Sequence, residues 1–157
     1  MTRTTEEPAQ MDWAHGTPIM IGPWLLGLGD PSPETVEYWE GVAARKLMLK
    51  VCQACGRFNH PRRLFCLTCQ SDAFTWQEAK GTGSVYTFSM VTRAPTEAFQ
   101  REAPYTVGII ELDEGVFFCS RVIAADQSAV AIGSPVTLAF AQVGTSGELP
   151  VFELATG

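Results

Sequence analysis

A mainly β chain of the α+β class is what this sequence predicts: an N-terminal helix, a small zinc ribbon, then a five-stranded barrel of the OB type. Three observations carry that expectation. Two Cys-x-x-Cys pairs, Cys52/Cys55 and Cys66/Cys69, stand ten residues apart. Ahead of them apolar residues recur at helical spacing, and from Phe74 onward the apolar period falls to two. The length of 157 residues accommodates one full domain plus a small module, not two large domains. The expected divisions are an irregular arm over 1–32, a helix and linker over 33–50, a ribbon over 51–72 and a barrel over 73–157.

The arm has no regular period, because Pro8, Gly16, Pro18, Gly22, Pro23, Gly27 and Gly29 interrupt it. Trp13, Ile19, Met20, Ile21, Trp24, Leu25, Leu26 and Leu28 nevertheless make it too apolar for a solvated tail. It is expected to lie against its own body, a second copy or a partner. A helix start follows at Asp30-Pro31-Ser32-Pro33-Glu34. Asp30 or Ser32 supplies a cap, a proline suits the first turn, and Glu34 and Glu37 complement the positive helix end. Val36, Trp39, Val42 and Ala43 form the apolar stripe, so the helix is expected from about Pro33 to Leu47. Met48 to Val51 then enters the first cysteine pair as a short strand.

A two-residue gap lets both sulfurs of a Cys-x-x-Cys pair turn to one point. Two such knuckles supply four thiolates in the tetrahedral arrangement that structural Zn²⁺ accepts. Cys52, Cys55, Cys66 and Cys69 are therefore the expected ligands of one structural Zn²⁺, and Gly56 fits a tight turn that needs positive φ. Disulfides are the competing reading, and paired Cys-x-x-Cys motifs in a reduced compartment favour metal over them. Iron also accepts four sulfurs, so zinc rests on abundance and redox inertness. His60 lies between the knuckles but finds the four-sulfur shell already complete.

Beyond Phe74, Trp76–Lys80 and Gly83–Val91 read as strand interrupted by Gly81-Thr82-Gly83. Pro104–Leu112 and Val116–Ile123 form a hairpin about Asp113-Glu114-Gly115. A helical turn is expected within Asp126–Ile132, followed by strands at Val136–Ala141 and Pro150–Leu154. Five short strands without βαβ alternation suit a small closed barrel of the OB type, which periodicity alone does not separate from another small barrel.

The net charge of −6 is unevenly spread. Residues 41–71 hold Arg45, Lys46, Lys50, Arg57, Arg62 and Arg63 and no acid, while the rest of the chain balances to −12. A cationic face on an acidic protein suits a discrete anionic ligand or partner, and plain surface solvation is the other reading. No apolar run approaches the roughly 20 residues needed to span a bilayer, and the acidic start lacks the apolar core of a signal peptide. The expected location is the cytoplasm, with reduced cysteines and no membrane partner.

Several stretches together carry a family resemblance. They are Tyr38-Trp39-Glu40-Gly41, Cys52-Gln53-Ala54-Cys55-Gly56, Pro61-Arg62, Gly81 to Phe88 and Ala103-Pro104-Tyr105. Glu111 to Gly115, Ile132 to Val136 and Leu149 to Phe152 complete the set. In this order the chain, over roughly residues 33–154, resembles the rubredoxin-like zinc-ribbon/OB-fold proteins. That family was first classed as a domain of unknown function and is associated with acyl-CoA thiolases, aldolases and synthases. Members act beside thiolases, sterol-carrier-type aldolases, hydroxymethylglutaryl-CoA synthases or ketide acyltransferases, and some are fused to hydratase domains. The resemblance implies an accessory subunit that completes or shields an acyl-CoA site on a thiolase-like or aldolase-like partner. Gln70-Ser71 departs from the glycine that often follows the second knuckle.

No catalytic residue is expected in this chain. Cys119 is the one cysteine outside the zinc set and, in an apolar strand, reads as a buried inert thiol. His15 falls in the arm, and Asp113 and Glu114 read as solvated turn residues. No nucleophile elbow, phosphate-binding loop or dinucleotide fingerprint occurs. Zinc ribbons and OB barrels also bind nucleic acid. Here, however, acids outnumber Lys80, Arg93, Arg101 and Arg121 across the barrel, which disfavours phosphate binding. A pure assembly scaffold is the third reading. Joined to the resemblance, the charge pattern assigns Arg62 and Arg63 as expected contacts to the partner and to the nucleotide end of a coenzyme A thioester. A guanidinium fork bonds two phosphate oxygens at once.

Overall fold

A computed structural model describes residues 32–94, 97–142 and 148–155. The irregular arm up to residue 31, including the proposed cap Asp30 and His15, lies outside the described residues. A single 3₁₀ turn, Pro33–Thr35, leads into helix α1, Val36–Ala43. Three strands follow around the cysteines: β1 (Met48–Cys52), β2 (Phe58–Asn59) and β3 (Phe74–Glu78). The barrel strands are β4 (Thr82–Val91), β5 (Tyr105–Leu112), β6 (Phe117–Ile123), β7 (Pro135–Gln142) and β8 (Glu148–Leu154). A short helix α2, Glu97–Gln100, lies between β4 and β5, and a 3₁₀ turn, Gln127–Ala129, lies between β6 and β7. No helix among the described residues is long and apolar enough to cross a membrane.

Helix α1 is shorter than its apolar stripe suggests. Ser32 caps no backbone amide with its side chain, and the helix stops at Ala43 rather than Leu47. Arg45 turns to φ 57°, its amide donates to the Val42 carbonyl (2.9 Å), and the Lys46 amide donates back to Gly41 (2.7 Å). That paired closure is a Schellman cap. It frees Leu47 and Leu49 to enter the core, where both are fully buried. Arg45 adopts the left-handed conformation without being glycine. Its guanidinium is held by both carboxylate oxygens of Glu148 (2.7 and 2.6 Å) and lies over the Phe140 ring.

The eight strands form two sheets. The first is antiparallel in the order β2-β1-β3, with Lys50 opposite both Asn59 and Trp76. The stretch Trp76–Lys80, read from sequence alongside the barrel strands, thus belongs to the cysteine-bearing sheet. Its partner is β1, over the full register Met48–Glu78 to Cys52–Phe74.

The second sheet is a closed five-stranded barrel, β4-β5-β6-β8-β7, with β7 returning to β4. All its pairs are antiparallel except β6 with β8, which meet over Val122–Phe152 and Ile123–Glu153. A bulge between Val85 and Thr87 shifts the β4–β5 register and bends the long first strand, as bulges do. Gly83 permits the tight β4–β5 approach, since a Cβ there would collide with the Glu111 carbonyl.

One hydrophobic cluster joins both sheets and the helix. Tyr38 and Val42 of α1, Leu49 of β1, and Val85, Ile110, Phe118, Val136 and Phe152 of the barrel share it. Phe118 is its junction: its ring lies 6.3 Å from Tyr38, 5.2 Å from His60 and 6.4 Å from Phe152. The ribbon therefore sits on the barrel end through packed aromatic contacts.

Candidate metal centre

The four cysteines converge. Their Sγ atoms all lie within 4.8 Å of one another, with Cys52–Cys69 at 3.5 Å and Cys55–Cys66 at 3.6 Å. Tetrahedral zinc–sulfur bonds of about 2.3 Å put sulfurs about 3.8 Å apart, so the donor set has the right size and chemistry for Zn²⁺. Each knuckle closes in the same way. The Gly56 amide donates to the Cys52 carbonyl (2.8 Å), and the Gln70 amide donates to the Cys66 carbonyl (3.0 Å). Both residues sit at positive φ, 71° and 63°. Gln70 thus takes the left-handed geometry that glycine takes in the first knuckle, which resolves the departure at Gln70-Ser71.

Backbone amides aim at the sulfurs and favour their charged form. The amides of Cys69 and Thr68 hold the Cys66 thiol down to about 6. Burial raises Cys52, but the amides of Cys55 and Ala54 outweigh it and leave that thiol below its ordinary value. Cys55 behaves in the opposite way. The Arg57 amide lowers it, yet burial and the neighbouring sulfurs push it up to about 12. Without a cation, four clustered sulfurs do not all ionise together; a divalent ion removes that repulsion.

Asn59, which the sequence did not single out, organises the second knuckle. It is 2% exposed. Its Nδ2 donates to the Arg57 carbonyl (2.9 Å) and to Cys66 Sγ (3.6 Å), and its Oδ1 accepts the Leu67 amide (3.1 Å). His60 faces away from the sulfurs toward Phe118, and its Nδ1 accepts the Arg62 amide (3.2 Å). Burial first, then Arg62, Arg63 and Lys50, lower its basicity to about 4. Lys50 is buried between the Phe74 and Trp76 rings, 5.6 and 5.2 Å from their centres, and donates to the Arg63 carbonyl (3.0 Å).

Arg62 and Arg63 are exposed on the loop between the knuckles. With Leu64 to Leu67 and Gln70 they line a shallow depression of about 370 Å³. Phe58 packs against the core, and Phe65 is exposed. Cys119 is corrected too: it is exposed, not buried. Strand β6 alternates, so Phe118 points into the core while Phe117 and Cys119 point out.

Two family models match consecutive parts of the chain. The ChsH2 rubredoxin-like zinc ribbon domain matches residues 39–75, and the ChsH2 C-terminal OB-fold domain matches residues 76–141. A DUF35 domain-containing scaffold protein of Methanothermobacter thermautotrophicus is 33% identical over 118 residues, which cover 73% of this chain and 87% of that protein. The chain belongs to the DUF35 family. Its ribbon and barrel are the two domains of that family in sequence order, and its four clustered cysteines are the structural zinc site of the ribbon. This DUF35 chain also resembles one chain of the solved Ltp2-ChsH2(DUF35) aldolase. The identity is 30% and the TM-score 0.72, over 82% of this chain and 100% of that one. A probable enoyl-CoA hydratase alpha subunit of Thermomonospora curvata is 33% identical over 118 residues. That match covers 75% of this chain, which spans only 36% of the hydratase subunit's length.

Proposed function

We propose that this DUF35 chain is a non-catalytic accessory subunit of a thiolase-type acyl-CoA enzyme that makes or breaks carbon–carbon bonds. One observation carries the reading: 82% of this chain matches the whole of one chain of the Ltp2-ChsH2(DUF35) aldolase. In this reading the chain completes or stabilises the acyl-CoA site of a thiolase-like or aldolase-like partner. Coenzyme A brings several phosphate charges far from its reactive thioester, so a partner doing chemistry at one end benefits from a holder at the other. Arg62 and Arg63 meet the nucleotide end at the subunit interface. The Lys50 bond to the Arg63 carbonyl keeps that loop in place.

Co-expression, affinity purification and native mass spectrometry first identify the thiolase-like subunit that binds the chain. Replacing Arg62 and Arg63 with Ala then raises the KM of the purified complex for acyl-CoA, more so at low salt, and leaves zinc content unchanged. Unchanged KM together with unchanged partner binding retires the acyl-CoA contact. It leaves the scaffold reading, which the naming of the Methanothermobacter relative favours.

A further inference from the structure

The second knuckle carries a feature that its metal geometry does not require. In a Cys-x-x-Cys turn the amides point at sulfur, so the two middle side chains are forced outward. The Thr68 amide shows this, donating to Cys66 Sγ at 3.4 Å. At the first knuckle the outward residues are Gln53 and Ala54, and Gln53 donates to the Phe74 carbonyl (3.4 Å). At the second knuckle the position matching Gln53 is Leu67, 63% exposed, beside Leu64 at 54% and Phe65 at 56%. Three large apolar side chains thus project together from a loop that four sulfurs, Asn59 and Lys50 hold rigid. None of the three belongs to the core cluster. Apolar groups carried on a backbone already tied down lose less freedom on binding than those of a loose loop, which suits an interface anchor.

We infer that Leu64, Phe65 and Leu67 are the docking anchor of this chain, and that their occupant is a protein subunit offering an apolar hollow bordered by carboxylates. Charge complementarity selects that chemistry. Arg62 and Arg63 line the same depression as the anchor, each with donors enough for a carboxylate on one edge and a phosphate on the other, and residues 41–71 hold no acid although the chain as a whole is at −6. A symmetric pairing with a second copy would set these arginines against each other, so a subunit with an acidic rim is the better match. The barrel also exposes Tyr86, Phe88, Met90, Phe117 and Ile132; of these, the Tyr86 and Phe117 rings partly satisfy each other, meeting edge to face at 4.9 Å. The inference rests on the subunit reading proposed above and names the surface that the partner grips.

The test uses the full chain, zinc-loaded, and the purified thiolase-like subunit found by native mass spectrometry, with binding kinetics read by surface plasmon resonance. Leu64→Ser with Leu67→Ser raises the Kd by about tenfold or more, the loss expected of anchor residues. Zinc content and melting temperature stay at the wild-type values. The paired control, Tyr86→Ser with Phe117→Ser, leaves the Kd within about threefold of wild type, well short of an anchor's loss. Wild-type association slows as salt is raised from low ionic strength, because the rim is charged. Wild-type affinity for the leucine pair overturns the inference while leaving the subunit reading intact. Loss of binding by the barrel pair alone moves the interface to the barrel, and an on-rate indifferent to salt overturns the acidic rim. A wild-type chain that binds no such subunit overturns the subunit reading, and the inference with it.

Discussion

Asn59 shows how one side chain does the work of two. Its amide donates to a carbonyl and a sulfur while its oxygen accepts the Leu67 amide, so it ties β2 to the knuckle eight residues away. Groups that hydrogen-bond to a metal ligand orient it, and their loss typically costs about 10–100-fold in metal affinity. Asn59→Ala is expected to weaken zinc binding by about that factor in chelator competition. Asn59→Asp should weaken it further, by removing the donors and adding charge beside thiolates. Wild-type affinity in Asn59→Ala would contradict this role. The cysteines were legible in the sequence because their spacing is local and the metal demands it. Asn59 was not, since a lone asparagine near a turn has many uses and its partners meet only in the folded ribbon. Cys119 was misread for a related reason: an apolar strand states that half its residues are buried, not which half.

Among the elements, strand number and order were legible for the barrel, where Gly-rich breaks and the Asp113-Glu114-Gly115 turn mark the ends. Two boundaries were not. The stripe of α1 continues to Leu47 in sequence, but Leu47 enters the core from the far side of the Arg45 turn, and no glycine announces that turn. Strand β3 has the same two-residue period in either sheet, so only its pairing with β1 assigns it. The contact between the knuckle loop and β6 carries a pH dependence. His60 stacks on Phe118, and its basicity falls from 6.5 to about 4. The unfolded chain therefore holds the extra proton between those values, so stability rises with pH across that window. This contribution is complete above pH 6.5 and is lost as pH falls toward 4. With zinc saturating, the wild type should lose more melting temperature between pH 7 and pH 5 than His60→Phe does. Equal losses would show that the ring is not held neutral by burial against Phe118, Arg62, Arg63 and Lys50.

For the molecule as a whole, the shared cluster makes the metal a support for more than the ribbon. Leu49 leads directly to Cys52 in β1, yet it packs with Val85, Ile110 and Phe152 of the barrel. Small zinc modules depend on their ion for folding, and here that dependence passes into the larger core. Stripping zinc with a strong chelator is expected to lower one cooperative calorimetric transition by roughly 10 °C or more, given about 2–4 °C per kcal/mol for a chain of this size. A barrel transition that stays in place while the ribbon melts separately would show the two units to be independent. The uneven charge belongs to this scale as well: the segment that holds the four cysteines is also the one without an acid.

The parallel meeting of β6 and β8 has a consequence for synthesis. The cysteine-bearing sheet is complete once residue 78 is available, whereas the barrel waits for residues 148–154 to slide between β6 and β7. At a synthesis rate of about 5–20 residues per second, the ribbon has several seconds in which to capture its ion before the last strand exists. A nascent chain therefore carries a finished metal module beside an unsealed sheet with two open edges. The strands made after it must then close over Leu47 and Leu49, both fully buried in the finished core.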